Sequence, residues 1–187
     1  VKTYTIIGGV NGTGKSSLTG SLKATTTSLG TIIDPDKLGL EQGLTPVAAG
    51  RLAVKKIRAC LERGVCFTQE STLSGHFVPQ LAKQAREQGY YIRLYYVGLD
   101  SAEESVRRIA NRVAKGGHDI AEDVVRRRFT DRWAAVAAVL PYCDEATFFD
   151  NENGFREVAE YRNGELVLKT TQLPDWLRQL QAYLETA

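Results

Sequence analysis

Apolar residues along the chain follow two periods. Short β-branched and aromatic runs at 3–7, 31–33, 65–69, 90–97 and 146–149 read as strands. Between them, apolar positions recur every three or four residues, as on one face of a helix. A helix is predicted from about Lys15, directly after a glycine loop. Another covers 45–63, with Thr45 as N-cap, Pro46 in the first turn, Gly64 as the stop, and Val47, Val54, Ile57 and Leu61 along one face. Helices follow at about 76–88, 102–115 and 121–140, the last striped by Val125, Phe129, Val136 and Leu140 and ended by Pro141. Strands alternating with helices predict an α/β fold with a parallel sheet. The tail changes pattern. Residues 156–161 and 165–169 form a hairpin about Asn163-Gly164, and Trp176, Leu177, Leu180 and Leu184 mark a final amphipathic helix. The expectation is one domain, with a core over 1–153 and an appended hairpin and helix over 154–187.

Composition narrows the function classes. The chain has 187 residues, 43% hydrophobic and 25% charged, which excludes a largely disordered chain. A net charge of +2 argues against a nucleic-acid or membrane-surface protein, though a local basic patch is compatible with it. No apolar run approaches the 18 residues of a membrane span, and the opening VKTYTIIGG reads as a strand and not as a leader. Three cysteines (Cys60, Cys66, Cys143) and two histidines (His76, His118) offer no zinc-site spacing. Free thiols point to a reducing cytoplasm.

The strongest motif is Gly9-Val10-Asn11-Gly12-Thr13-Gly14-Lys15-Ser16, set between a β-run and a helical run. Glycines at these places let successive backbone N–H groups turn inward on the phosphates of a nucleoside triphosphate, and the helix N-terminus adds its positive end. Gly9, Asn11, Gly12, Thr13, Gly14, Lys15, Ser16 and Ser17 are the candidate nucleotide contacts. Lys15 reaches the phosphates, and Ser16 offers a hydroxyl to Mg²⁺. A GTPase would need a guanine-reading N-K-x-D, which Asn111-Arg112-Val113-Ala114 does not supply. The length suits a small-molecule kinase better than a motor.

A kinase needs a group for the acceptor hydroxyl, ligands for Mg²⁺ and positive charge on the transferred phosphoryl. Strand ends should carry them. After the second run come Asp34 and Asp36 about a proline. Asp36 is the candidate base, Asp34 a loop brace, and a plain Asp-Pro-Asp turn is the alternative. After the third come Glu70, a candidate metal ligand and substrate contact, and Thr72, a substrate contact. Arg107, Arg108 and Arg112 precede Gly116-Gly117-His118, and Arg126, Arg127 and Arg128 follow it, as in a lid over about 107–128 that closes on phosphate. Successive helical residues turn by about 100°, so the triplet cannot all face one way. Arg112 and Arg127 are the candidates, with His118 as a hinge residue or phosphate donor. Arg51 stands among Ala48, Ala49 and Gly50, where a substrate would find room, and also suits an ordinary surface position. Asn151 follows the fifth run, where a nucleotide base would lie and where turn asparagines are common.

Gly8-Gly9-x-x-Gly12-x-Gly14-Lys15-Ser16, Ile33-Asp34-Pro35-Asp36, Glu70-Ser71-Thr72-Leu73-Ser74-Gly75 and Gly116-Gly117-His118-Asp119-Ile120-x-Glu122 through Arg126-Arg127-Arg128 together resemble the zeta-toxin-like P-loop kinases, over about residues 4–153. The resemblance is to the short bacterial ATPases of that group. It implies a P-loop NTPase fold of the kinase type, sheet order 2-3-1-4-5, with helices on both faces. It also implies ATP and Mg²⁺ as cofactors, phosphorylation of a sugar hydroxyl of UDP-N-acetylglucosamine, and a separate antitoxin protein. Carried over by position, Asp36 matches the base, Glu70 the acid near Mg²⁺, Thr72 a substrate contact, and Arg112 with the His118/Arg127 region the lid. The chain departs at Val54, where the toxins carry a substrate-binding glutamate, and at Ala121, where the short group shows proline. Antibiotic or nucleoside phosphorylation, phosphorylation of RNA ends, and a nucleotide-dependent switch without transfer are the alternative readings.

Overall fold

The computed structural model describes residues 1–187, the side chain of Thr27 excepted. Fifteen regular elements alternate as the periodicities require. They are β1 (Thr3–Gly8), α1 (Lys15–Lys23), β2 (Thr31–Ile33), α2 (Pro35–Gln42), α3 (Pro46–Arg63), β3 (Phe67–Ser71), α4 (Phe77–Glu87), β4 (Tyr91–Gly98), α5 (Ala102–Ala114), α6 (Glu122–Thr130), α7 (Arg132–Val139), β5 (Glu145–Asp150), β6 (Arg156–Arg162), β7 (Glu165–Leu168) and α8 (Asp175–Thr186). One seven-stranded sheet runs β2-β3-β1-β4-β5-β6-β7. The first five strands are parallel, in the order 2-3-1-4-5, and β6 and β7 continue antiparallel. Every residue of β1 is buried, as a central strand covered on both faces must be. The carboxyl ends of β1, β2 and β3 therefore meet at one edge, and the phosphate loop, the Asp-Pro-Asp segment and the Glu70 segment emerge there together.

Caps fix the helices where the sequence placed them. The Thr45 hydroxyl accepts the N–H of Ala48, and Gly64 closes α3 at φ 63°. The Ser101 hydroxyl does the same for α5 by accepting from Glu104.

Three expectations change. The turn at Asp34-Pro35-Asp36 is the start of a helix, α2. The Asp34 side chain caps it by accepting from the N–H groups of Asp36 and Lys37, and Pro35 occupies the first turn. Its eight residues are too few to show a stripe. The helix expected over 121–140 is two, parted at Asp131. There the Arg132 guanidinium donates to the Phe129 carbonyl at 2.6 Å and stacks on the Phe129 and Trp133 rings, taking an acceptor that a continuous helix would use. The tail is not an appendage. The hairpin extends the sheet, and Trp176, Leu177 and Leu180 are fully buried in the same core as Tyr96, Trp133 and Phe148. Trp176 stacks on Trp133 and lies over Gly98, where an added Cβ would come within 2.5 Å of its ring. Among the described residues, no helix is long and apolar enough to cross a membrane.

Candidate functional site

The phosphate loop joins β1 to α1. Gly12 and Gly14 adopt φ 81° and 105°, a region costly for side-chain-bearing residues. Neither has room for one. A Cβ would sit 2.7 Å from the Ser105 carbonyl at Gly12 and 2.5 Å from Asn151 Nδ2 at Gly14. Asn151 Nδ2 donates to the Thr13 carbonyl at 2.8 Å, so the end of β5 holds the loop from one side. From the other side, Arg128 on α6 donates to Asn11 Oδ1 at 2.9 Å. Asn11, Gly12, Gly14, Lys15, Ser16 and Ser17 line a cavity of about 570 Å³. Gly9 and Thr13 lie beneath it: the Gly9 carbonyl accepts from Lys15, and the Thr13 hydroxyl donates to the Val10 carbonyl at 2.9 Å.

Ser16 is the meeting point of the strand ends. Its hydroxyl oxygen lies 3.0 Å from Glu70 Oε1 and 3.3 Å from Asp34 Oδ2, and Thr19 Oγ1 lies 3.0 Å from Glu70 Oε2. One hydroxyl carries one proton, so Ser16 cannot donate to both carboxylates. Burial, and then the Asp34 charge, raise the Glu70 carboxyl to about 7. A protonated Glu70 completes the chain by donating to Ser16 while Ser16 donates to Asp34. Lys15 folds back over the loop, with Nζ 2.9 Å from the Gly9 carbonyl and 3.2 Å from that of Val10. Burial lowers its ammonium to about 8 against the pull of Glu70, Asp36 and Asp34. A hydroxyl and two carboxylates are hard oxygen donors of the kind Mg²⁺ takes, and a cation there would favour the charged Glu70 carboxylate that burial, and then Asp34, disfavour. The donor set fits Mg²⁺.

The lid arginines sort by helical angle. Arg108 and Arg112 share one face of α5 and line both the phosphate cavity and a larger one of about 910 Å³ beside α1 and α2. Arg108 is fixed: it donates to Glu104 at 2.7 Å and to the Asn151 carbonyl at 2.7 Å. Hydrogen bonds from Arg107 and Arg108 hold the Glu104 carboxyl down at about 2. The Arg112 guanidinium has no hydrogen bond or ion pair among the described residues. Arg127 is not brought to the site; its neighbour Arg128 lines the phosphate cavity instead, one helical step of about 100° away. Arg108 escaped sequence reasoning because it sits in a charged pair on a solvated helix. The four-residue spacing to Arg112 was the usable signal. Asp34, expected only to brace the loop, both caps α2 and reaches Ser16.

Asp36, in the first turn of α2, is exposed and lines both cavities. Thr72 lines the phosphate cavity and precedes Leu73, a buried residue held at φ 63°. Leucine rarely adopts that conformation, and such strain collects at functional loops. His118 lines the larger cavity, its Nε2 buried without a partner and 3.5 Å from where a Cβ on Gly39 would lie. Arg51 lies outside both cavities and lines a third.

No family model matches the chain. An uncharacterized protein of Haemophilus influenzae is 36% identical over 126 residues, covering 65% of this chain and 88% of that protein. Among solved structures, a chain from the PezAT chromosomal toxin–antitoxin system of Streptococcus pneumoniae superposes with a TM-score of 0.63 at 16% identity, covering 99% of this chain and 85% of that one. A chain of the AvrRxo1-ORF1:-ORF2 complex with ATP gives 0.63 at 17% identity, covering 99% and 76%. The chain belongs to one family with the Haemophilus influenzae protein, and it is built on the P-loop kinase fold that it shares with these solved structures.

Proposed function

We propose that the protein is an ATP-dependent small-molecule kinase that transfers the γ-phosphoryl group of ATP to a hydroxyl acceptor. The observation that carries this reading is the convergence of Lys15, Ser16, Asp34, Asp36 and Glu70 at one cavity rim above the phosphate loop. Ser16, with Asp34 and Glu70 behind it, holds Mg²⁺. When bound there, it would supply positive charge that offsets the charge developing on the phosphate oxygens. Lys15 swings from the Gly9 and Val10 carbonyls onto the phosphates, and Arg112 brings further positive charge from the lid. Asp36 accepts the hydroxyl proton as the acceptor oxygen bonds to the γ-phosphorus. The bond from that phosphorus to the bridging oxygen breaks, and ADP leaves.

UDP-N-acetylglucosamine is the first acceptor to test, since the family resemblance implies it, and antibiotics and nucleosides follow. A separate antitoxin protein is the partner the same resemblance suggests, and the PezAT neighbour is itself part of a toxin–antitoxin system. Purified protein is incubated with Mg²⁺, ATP and acceptor, and phosphate addition is read by mass spectrometry against Lys15→Ala. Product in the wild type alone is the expected result. Asp36→Asn should abolish transfer while ATP still binds. ATP hydrolysis with no acceptor phosphorylated would favour a switch, in which nucleotide entry displaces Arg128 from Asn11 and frees the lid.

A further inference from the structure

Beside the phosphate cavity lies a third one of about 530 Å³, a size typical of small-ligand sites. The two share Pro35 and Gln69 in their walls. Its wall is apolar: Val47, Ala53, Val54 and Ile57 from α3, and Phe77 from α4. Arg51 is the charged residue that lines it.

Three features of this wall lack a reason within the protein. Gly50 stands inside α3, where glycine weakens a helix relative to alanine. An added Cβ there would meet no atom within 4 Å, so packing does not demand the glycine. Val47 leaves 66% of its surface exposed on the same helix. Arg51 has no hydrogen bond or ion pair among the described residues. Gln69, by contrast, is half committed. Its carboxamide oxygen accepts the Tyr4 hydroxyl at 2.5 Å, which leaves its N–H₂ as the half free to meet a ligand.

We propose, resting on the kinase reading above, that this cavity holds the body of the phosphoryl acceptor and that the acceptor is a small hydroxy acid. Its apolar body lies against Val47, Val54, Ile57 and Phe77, in the space that Gly50 leaves open. Its carboxylate pairs with Arg51, and its hydroxyl reaches past Pro35 to Asp36. Charge selects the class. One guanidinium balances one carboxylate and matches its two oxygens, whereas a phosphate monoester carries about −1.5 to −2 and a sugar nucleotide carries a diphosphate. In the transfer step the hydroxyl oxygen gains the phosphoryl group, Asp36 takes the proton, and ADP departs.

Saturation-transfer NMR tests this with wild-type protein, Mg²⁺ and a non-hydrolysable ATP analogue. The probes are 3-phenyllactate, 2-hydroxyisocaproate and mandelate, their methyl esters, and UDP-N-acetylglucosamine. At least one acid should bind about tenfold or more tightly than its ester. That preference should fall to near one in Arg51→Gln, which removes the charge. It should fall likewise in Val54→Glu, which sets a carboxylate one helical turn from Arg51. Equal binding of acid and ester, or no response to Arg51→Gln, overturns the assignment, as does UDP-N-acetylglucosamine binding better than every acid. ADP formed with another acceptor would then leave the kinase reading standing. Conversely, Arg51-dependent acid binding with no ADP formed from ATP upholds the cavity assignment and counts against phosphoryl transfer.

Discussion

The ends of β1 and β3 differ sharply from the ends of β4 and β5. Around Ser16, polar groups compete: two carboxylates face one hydroxyl, and a lysine rests on its own loop. Although the neighbouring Trp133 Nε1 is buried without a partner among the described residues, Trp176 itself has both of its N–H groups paired. Its backbone N–H donates to Asp100 at 2.9 Å and its indole N–H to Asp150 at 2.8 Å, beneath a packed aromatic cluster. The first region holds free energy that a cation and an anionic ligand would release. The second supplies the rigidity that keeps the first from relaxing. Asn151 joins them, since it follows Asp150 and grips Thr13.

Removing the rigid side should have the largest effect. Trp176→Ala should cost about 3–5 kcal/mol of stability, read as a lower urea midpoint, and should weaken nucleotide binding as the β4 and β5 ends loosen. Removing the competing side should do the reverse. Lys15→Ala should lower phosphoryl transfer by about 10²–10³-fold or more, yet leave the urea midpoint unchanged or raised, because a costly buried ammonium is gone. A loss of folding in Lys15→Ala, or full stability in Trp176→Ala, would erase the distinction.

The pH profile sharpens it. Between the ordinary 4.5 and about 7, folded Glu70 keeps a proton that the unfolded chain has lost, so its contribution to stability falls as pH rises through that window. Between about 8 and the ordinary 10.5, the unfolded chain keeps a Lys15 proton that the folded protein has lost, so stability rises with pH there. Urea midpoints from pH 5 to 10 should pass through a minimum near pH 7–8, about 1–3 kcal/mol deep. Mg²⁺ should flatten the acid limb, and Glu70→Gln should remove it. The smallest effect falls on the link: Asn151→Ala should cost about 1 kcal/mol and a several-fold loss of nucleotide affinity, measured by titration calorimetry.

Local rules made much of this legible. The runs that alternate with helical periods become strands within a residue or two, because β-branched and aromatic residues in buried parallel strands leave little choice. The phosphate loop was legible because backbone geometry demands those glycines. What escaped depends on distance through space. α2 hid because eight residues cannot display periodicity, although Asp34, Pro35 and Gly43 were its punctuation. Arg128 and Arg127 differ only in helical angle, and no local rule says which angle of α6 faces the site. The tail read as an appendage because its hairpin alternates like any surface hairpin. Contacts distant in sequence, such as Trp176 over Gly98 and Leu177 and Leu180 in the core, show that the core is incomplete without it.

The Gly98–Trp176 contact also sets an order of events during synthesis. Every residue of the phosphate loop leaves the ribosome some 160 residues ahead of Trp176. Until the segment that becomes α8 is clear of the exit tunnel, Gly98 faces an empty groove and Asp150 has no indole to hold. A nascent chain therefore carries the whole nucleotide motif on an unbraced sheet edge. The site tightens only when α8 docks, so chains made short of it hold nucleotide poorly.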